Sequence, residues 1–250
     1  MNAALVVEAL KLRRSPVGLL ATCALLAGTL LLLGGITAAV VEGNPQIIAK
    51  AGPAASLDWS GLTAGAAQIT SAGALIAFGV VLAWMFGREF ADGTITGLFA
   101  LPVSRGRIAL AKLAVYAGWV LLVSITLPLG VLALGLLLGY GHPGAEVWRS
   151  LARLCLLTAL TGAAAAPVAW VTTLARSLLA GVGTTILLVV LAQVGVLAGS
   201  GGWLPLAAPA LWALSGGQAV DPVQLALTVA LALVSATLTG TAWSRLQLDR

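Results

Sequence analysis

Few residues of this 250-residue chain have the types and spacing for covalent chemistry. Ser200, within Gly199-Ser200-Gly201, is a nucleophile in outline, and His142 is the one histidine able to serve it as a base. A serine–histidine dyad needs both groups within hydrogen-bond reach. Nothing in the sequence brings these two together, and Gly-Ser-Gly is ordinary loop sequence. One histidine also cannot supply the ligand sets of metalloproteases or phosphatases. Cys23 and Cys155 sit in apolar stretches without paired spacing, and read as small packed hydrophobes. The expectation is a chain with no catalytic residue and no metal site.

Polar chemistry concentrates instead between Phe86 and Lys112. This segment holds Arg88, Glu89 and Asp92, a turn at Asp92-Gly93, and then a stretch ending at Pro102. Asp92 or Thr94 can cap a short helix there. Phe90, Ile95, Leu98, Phe99 and Leu101 are more apolar than a solvated loop requires. An amphipathic helix of this kind docks into a groove on a partner or lies flat on a membrane surface, and the pattern leaves both open. Elsewhere, Gln68 and Gln193 each place a full amide in an apolar run. An amide costs several kcal/mol in hydrocarbon unless bonded, so both must face protein or water. They are candidates for a translocation path, with an interhelical hydrogen bond as the alternative.

Composition decides which elements must position these groups. The chain is 60% hydrophobic and 8% charged, with a mean hydropathy of +1.06. A soluble domain carries about 25% charged residues, so there is too little polar surface here for a water-facing globule. Only helices and closed barrels satisfy their backbone in lipid, and the apolar runs lack the alternation of barrel strands. The reading is an all-α integral membrane protein, a single transmembrane domain over residues 1–250, with six spans at about 17–41, 61–86, 113–140, 154–174, 177–198 and 223–243. Pro205, Pro209, Gly216 and Gly217 argue that Trp203–Ser215 is a re-entrant or interfacial helix rather than a seventh span.

Six spans place ten basic residues on one side: Lys11, Arg13, Arg14, Arg88, Arg105, Arg107, Lys112, Arg176, Arg245 and Arg250. Only Lys50, Arg149 and Arg153 fall on the other. The positive-inside rule makes the first side cytoplasmic, with both termini. The net charge of +5 belongs to these loops and does not point to nucleic acid.

Glu89, Gly93-Thr94, Leu98, Pro102-Val103-Ser104-Arg105 and Lys112 together match a pattern E-x-x-x-G-T-x-x-x-L-x-x-x-P-V-S-R-x-x-x-x-x-x-K. This resembles the cytoplasmic loop of bacterial ABC-2 type transporter permeases, and looks most like the bacitracin- and lantibiotic-export branch. The motif covers about 25 residues; the wider resemblance is generic. It implies a coupling helix at about Gly93–Leu101 touching a separate ABC ATPase subunit, with Glu89 ending span two and Arg105 marking the return to the membrane. Arg88, Glu89, Phe90, Asp92, Gly93, Thr94, Ile95, Leu98, Phe99 and Arg105 are the expected ATPase interface. The sequence has no G-x-x-x-x-G-K-[ST] phosphate loop. ATP and magnesium are therefore expected on the partner, and no cofactor on this chain. The resemblance also implies an amphipathic connecting helix at the N-terminus, where Leu5, Val6, Leu10 and Leu12 form an apolar set beside Glu8, Lys11, Arg13 and Arg14. The implied assembly pairs the chain with a second permease copy or paralogue, in contact with membrane lipid, in a bacterial inner membrane.

The functional expectation is the permease subunit of an ATP-driven exporter. A charge-free interior suits an amphiphilic or lipid-like substrate such as a peptide antibiotic. An ion-coupled secondary transporter is the first rival, weakened because no charged residue sits mid-span. A non-transporting scaffold is the second. In span six, Gln224, Thr228, Ala232, Ser235, Thr239 and Ala242 share one helical face, which is expected to pack against neighbours.

Overall fold

The computed structural model describes residues 2–99 and 103–247. Among them, six helices are long and apolar enough to cross a membrane. In chain order the helices are α1 (Asn2–Arg13), α2 (Pro16–Val41), α3 (Pro45–Ala51), α4 (Trp59–Ala91), α5 (Ile95–Phe99), α6 (Arg105–Leu137), α7 (Ala145–Ala175), α8 (Leu178–Leu197), α9 (Ala208–Leu214) and α10 (Pro222–Arg245). The spans are α2, α4, α6, α7, α8 and α10.

Local sequence sets where they begin. Ser15 caps α2, its hydroxyl accepting from the Gly18 N–H at 2.8 Å, with Pro16 in the first turn. A proline there loses no hydrogen bond, because the first N–H groups of a helix are unpaired anyway. Asp58 caps α4 through the Gly61 N–H at 2.9 Å, and Ser177 caps α8 through the Ala180 N–H. At α10, the Gln224 side chain accepts from the Asp221 N–H at 2.9 Å. Inside α7 the regular helix is interrupted at Ala165-Ala166, before Pro167, because a proline cannot supply the next backbone donor.

Several boundaries differ from those the hydropathy suggested. α4 runs five residues past the expected end at 86, and α6 begins eight residues before 113. Glu89 and Lys112 therefore lie inside long helices rather than in the loop. The reason is that each charge is neutralised by a partner, so the helix has no cause to stop there. Among the described residues the short loop helix covers Ile95–Phe99, beginning two residues after the expected Gly93; Leu101, its expected end, and Pro102 lie outside the described residues, as does Arg250. Between α8 and α10 the chain forms a tight turn at Gly201–Trp203 and the seven-residue α9. At 1.5 Å per residue α9 is about 10 Å long, far short of a crossing, so no seventh span exists there.

Packing is organised in two apolar cores. One surrounds Phe78, Leu82, Phe86, Ile108, Val123 and Trp243; the other surrounds Leu33, Trp59, Leu62, Leu127, Val131 and Leu154. The first lies toward the end carrying most basic residues, hereafter the basic end. There, Arg105 donates to the Leu246 carbonyl, and Arg176 donates to the Gln247 carbonyl at 2.9 Å.

The polar face of α10 packs as expected: Gln224, Thr228, Ser235 and Thr239 are buried, and the Thr228 hydroxyl donates to the Pro205 carbonyl at 2.7 Å. One close helix crossing was not foreseen. Along α4, Gly79, Ala83 and Gly87 recur every four residues and meet Thr185, Gly181 and Leu178 of α8. A Cβ added at Gly79 would lie 2.4 Å from Thr185, and one at Gly87 2.8 Å from the Leu178 backbone. Small residues at this spacing let two backbones approach, which in lipid is a main source of helix association. The crossing pins α4 to α8 over their halves nearest the basic end.

Candidate functional site

Four charged side chains converge at the basic end. Glu8 and Lys11 come from α1, Glu89 from the last turns of α4, and Lys112 from the third turn of α6. The Lys112 ammonium donates to Glu8 at 2.9 Å, to Glu89 at 3.1 Å and to the Met85 carbonyl at 3.0 Å. Those three bonds use all its protons. Lys11 donates to Glu89 at 2.8 Å and to Glu8 at 3.1 Å. The second oxygen of Glu89 accepts from the Thr94 hydroxyl at 2.7 Å. Glu8, Glu89 and Lys112 are only 5%, 2% and 1% exposed. Two acids and two bases leave the cluster neutral, which allows it to be buried at all. Burial disfavours the charge on Lys11, but the Glu89 hydrogen bond and the charges of Glu8 and Glu89 outweigh that and raise its pKa above the ordinary value.

This network ties three distant pieces of chain together: the N-terminal helix, the α4–α6 loop through Thr94, and the start of α6. It also sets which side of α1 meets the spans. The acid and Leu12 face inward, whereas Val6, Val7 and Leu10 are exposed.

The residues of the α4–α6 segment divide accordingly. Glu89 and Ile95 are buried, and Phe90 is half-buried, its ring 6.4 Å edge-on from Trp243. Arg105 is half-buried on the Leu246 carbonyl. Asp92, Gly93 and Thr94 are exposed. Arg88 sits 4.9 Å over the Trp84 ring and pairs with Asp92 at 3.4 Å. Gly93 follows the end of α4 with φ +66°, and a Cβ there would meet nothing within 4 Å. Its requirement is thus for the left-handed backbone, not for room within this chain. The side chains of Leu98 and Phe99 lie outside the described residues.

Gln68 and Gln193 come together in a different place. Both are exposed, and both line one cleft of about 250 Å³ between α4, α8 and α9, with Ser71, Val189 and Leu214 also in its walls. No interhelical hydrogen bond joins either amide to a neighbour among the described residues. The cleft lies beyond the close contacts at Gly79–Gly87, with Ala210, Leu211 and Leu214 of α9 in its wall.

Sequence reasoning missed Glu8 and Lys112 as site residues. Lys112 belongs to the loop motif with no role attached to it, and Glu8 enters only as one of the charges beside the apolar set of the N-terminal helix. A signal was present: Lys112 stands within Leu110-Ala111-Lys112-Leu113-Ala114, where an unpaired ammonium is unfavourable enough to demand an acid nearby.

The comparisons with known proteins fit this architecture. None of the curated proteins compared with the chain matches it. The family model described as "ABC-2 family transporter protein" matches residues 4–192, from α1 through most of α8, and so includes the whole charge cluster. With three-quarters of its length matched, the chain belongs to the ABC-2 transporter family.

Proposed function

We propose that this chain is the membrane permease subunit of an ATP-driven exporter, with ATP and magnesium bound by a separate ABC ATPase subunit. Two permease halves, identical or paralogous, form the transporter. The basic end and both termini face the cytoplasm of a bacterial inner membrane, as the distribution of Lys and Arg favours. The loop motif from Glu89 to Lys112 favours the bacitracin- and lantibiotic-export branch.

The observation that carries this reading is the buried network joining α1 to the α4–α6 loop. An ATPase pressing on an exposed loop does little unless the loop is rigidly attached to the spans. Here Thr94, Glu89, Lys112 and Glu8 make that attachment, so a push at Ile95–Phe99 reaches α4, α6 and α1 together. The exposed Asp92, Gly93 and Thr94, with α5, form the docking surface, while Glu89, Ile95 and Arg105 hold it in place from within. The substrate moves along a path that includes Gln68 and Gln193.

Co-purification in mild detergent is the primary test: a P-loop ATPase travelling with the chain supports the reading, and transport driven by an ion gradient without one overturns it. Phe99→Ala is expected to weaken ATPase association by about thirtyfold, the equivalent of ~2 kcal/mol for an aromatic interface anchor. Gly93→Trp should do so too, through backbone strain and a bulky exposed ring. Membrane insertion should be unchanged in both. Normal complex assembly and normal substrate-stimulated ATP hydrolysis in both variants would show that this segment does not couple the subunits. A separate expectation concerns orientation: a cysteine introduced at Asp58 or Asp221 should react with an impermeant maleimide added to intact cells, and one at Arg14 should not. The reverse pattern would invert the topology.

A further inference from the structure

The cleft that holds Gln68 and Gln193 does not end at α9. A second cleft of about 350 Å³ continues it toward the end opposite the charge cluster, sharing Gln68 and Leu214 as common walls. Together they follow α4 from Ser60 to Leu75, about 22 Å at 1.5 Å per residue. The inner portion is lined by Leu75, Val189, Val196 and Leu206 around the two amides. The outer portion is lined by hydroxyls, Ser60, Thr63 and Ser150, and by Arg153.

Among the described residues, Arg153 is the one charged residue lining either cleft. It is half-buried and held by two neutral acceptors: the Gly216 carbonyl at 2.8 Å and the Ser150 hydroxyl at 2.9 Å. Among the described residues it forms no ion pair; the nearby acid of α7, Glu146, is taken by Arg149 at 2.8 Å. The acid preceding α4, Asp58, is bound by the Ser60 hydroxyl at 2.6 Å and the Gly61 N–H. A half-buried guanidinium without a counter-ion contrasts with the basic end, where Glu8 and Glu89 balance Lys11 and Lys112. Its planar fork of donors matches a carboxylate or phosphate better than any neutral group.

We propose that the joined clefts bind one anionic amphiphile, its carboxylate or phosphate head on Arg153 and its apolar chain running past Gln68 toward Gln193. This rests on the reading of the chain as an exporter and names the class of molecule that its path accepts: a lipid-like molecule with a single acidic head, in preference to a neutral or cationic one. Gln68, at the junction, bonds polar groups near the head. The wall of Leu75, Val189 and Val196 takes the chain by burying apolar surface, which is insensitive to the head.

The test uses the full chain in phosphatidylcholine nanodiscs, with Cys23 and Cys155 replaced by Ala and a reporter cysteine at Gln193. Hexadecyl phosphate and hexadecanol are compared for the concentration that half-protects the reporter from a maleimide. The phosphate is expected to protect at least about tenfold more effectively than the alcohol. Arg153→Gln should abolish that difference while leaving protection by the alcohol unchanged, which shows the cleft is still formed; Arg153→Lys should retain part of it. Equal protection by both probes in the Arg153 protein, or a preference that survives Arg153→Gln, overturns the head-group assignment but leaves the path reading standing. Protection by neither probe overturns this proposal and removes Gln193 from the path, a failure that the ATPase co-purification result does not share.

Discussion

Replacing Lys112 by Met should destabilise the protein by about 3–5 kcal/mol, the range for breaking a buried charge pair by removing one partner. The size follows from what is left behind. Glu8 and Glu89 would both remain almost wholly buried, with only Lys11 to share, and the Met85 carbonyl would lose its donor. The buried cluster would carry a net negative charge. Adding Glu8→Gln to Lys112→Met restores neutrality, because Lys11 and Glu89 still pair at 2.8 Å. The double variant should therefore recover part of the lost stability, and should lose less than the two single losses combined. Thermal unfolding of all three variants in one detergent measures this as a double-mutant cycle. Simple additivity would mean that Glu8 and Lys112 do not interact, and would detach α1 from the loop it is proposed to brace.

The second large effect is steric. Gly79→Leu should force α4 and α8 apart, because even a Cβ at this position lies 2.4 Å from Thr185. Overpacking a close contact costs about 1–3 kcal/mol, and the neighbouring positions of the same crossing, Gly87 against Leu178 and Gly181 against Ala83, meet backbone that cannot rotate aside. Gly73→Leu supplies the control on the same helix: Gly73 is exposed, and a Cβ there meets nothing within 4 Å. Gly79→Leu should lower the unfolding temperature and widen the Gln68–Gln193 cleft, seen as a longer distance between spin labels at those two positions. Gly73→Leu should leave both near their original values. Equal behaviour of the two variants would show that the close crossing is not what holds the helices together.

The membrane architecture was legible in the sequence because it depends on averages. Twenty or so apolar residues in a row admit one solution in lipid, and six such runs needed no knowledge of how they pack. The breakers around Pro205 and Pro209 likewise act through the local backbone, and α9 is short as they require. The packed polar face of α10 was also readable, since Gln224, Thr228, Ser235 and Thr239 share a face by helical period alone.

Helix ends were less legible. Hydropathy stops at a charge, whereas a helix stops where its backbone must turn. Glu89 and Lys112 therefore looked like loop residues although each sits inside a continuous helix. Their partners could not be read either: Glu8 and Lys112 are 104 positions apart, and no local pattern links them. The same holds for Gly79, Ala83 and Gly87, one small-residue repeat among many in a chain with 30 glycines; only contact with Thr185, Gly181 and Leu178 singles it out. Residue type and spacing settled that the chain crosses a membrane, where its charges collect and which loop is unusual. Which charges neutralise one another, which glycines touch and where a cleft opens were decided by tertiary structure, because each depends on a distance between segments that sequence separation does not encode.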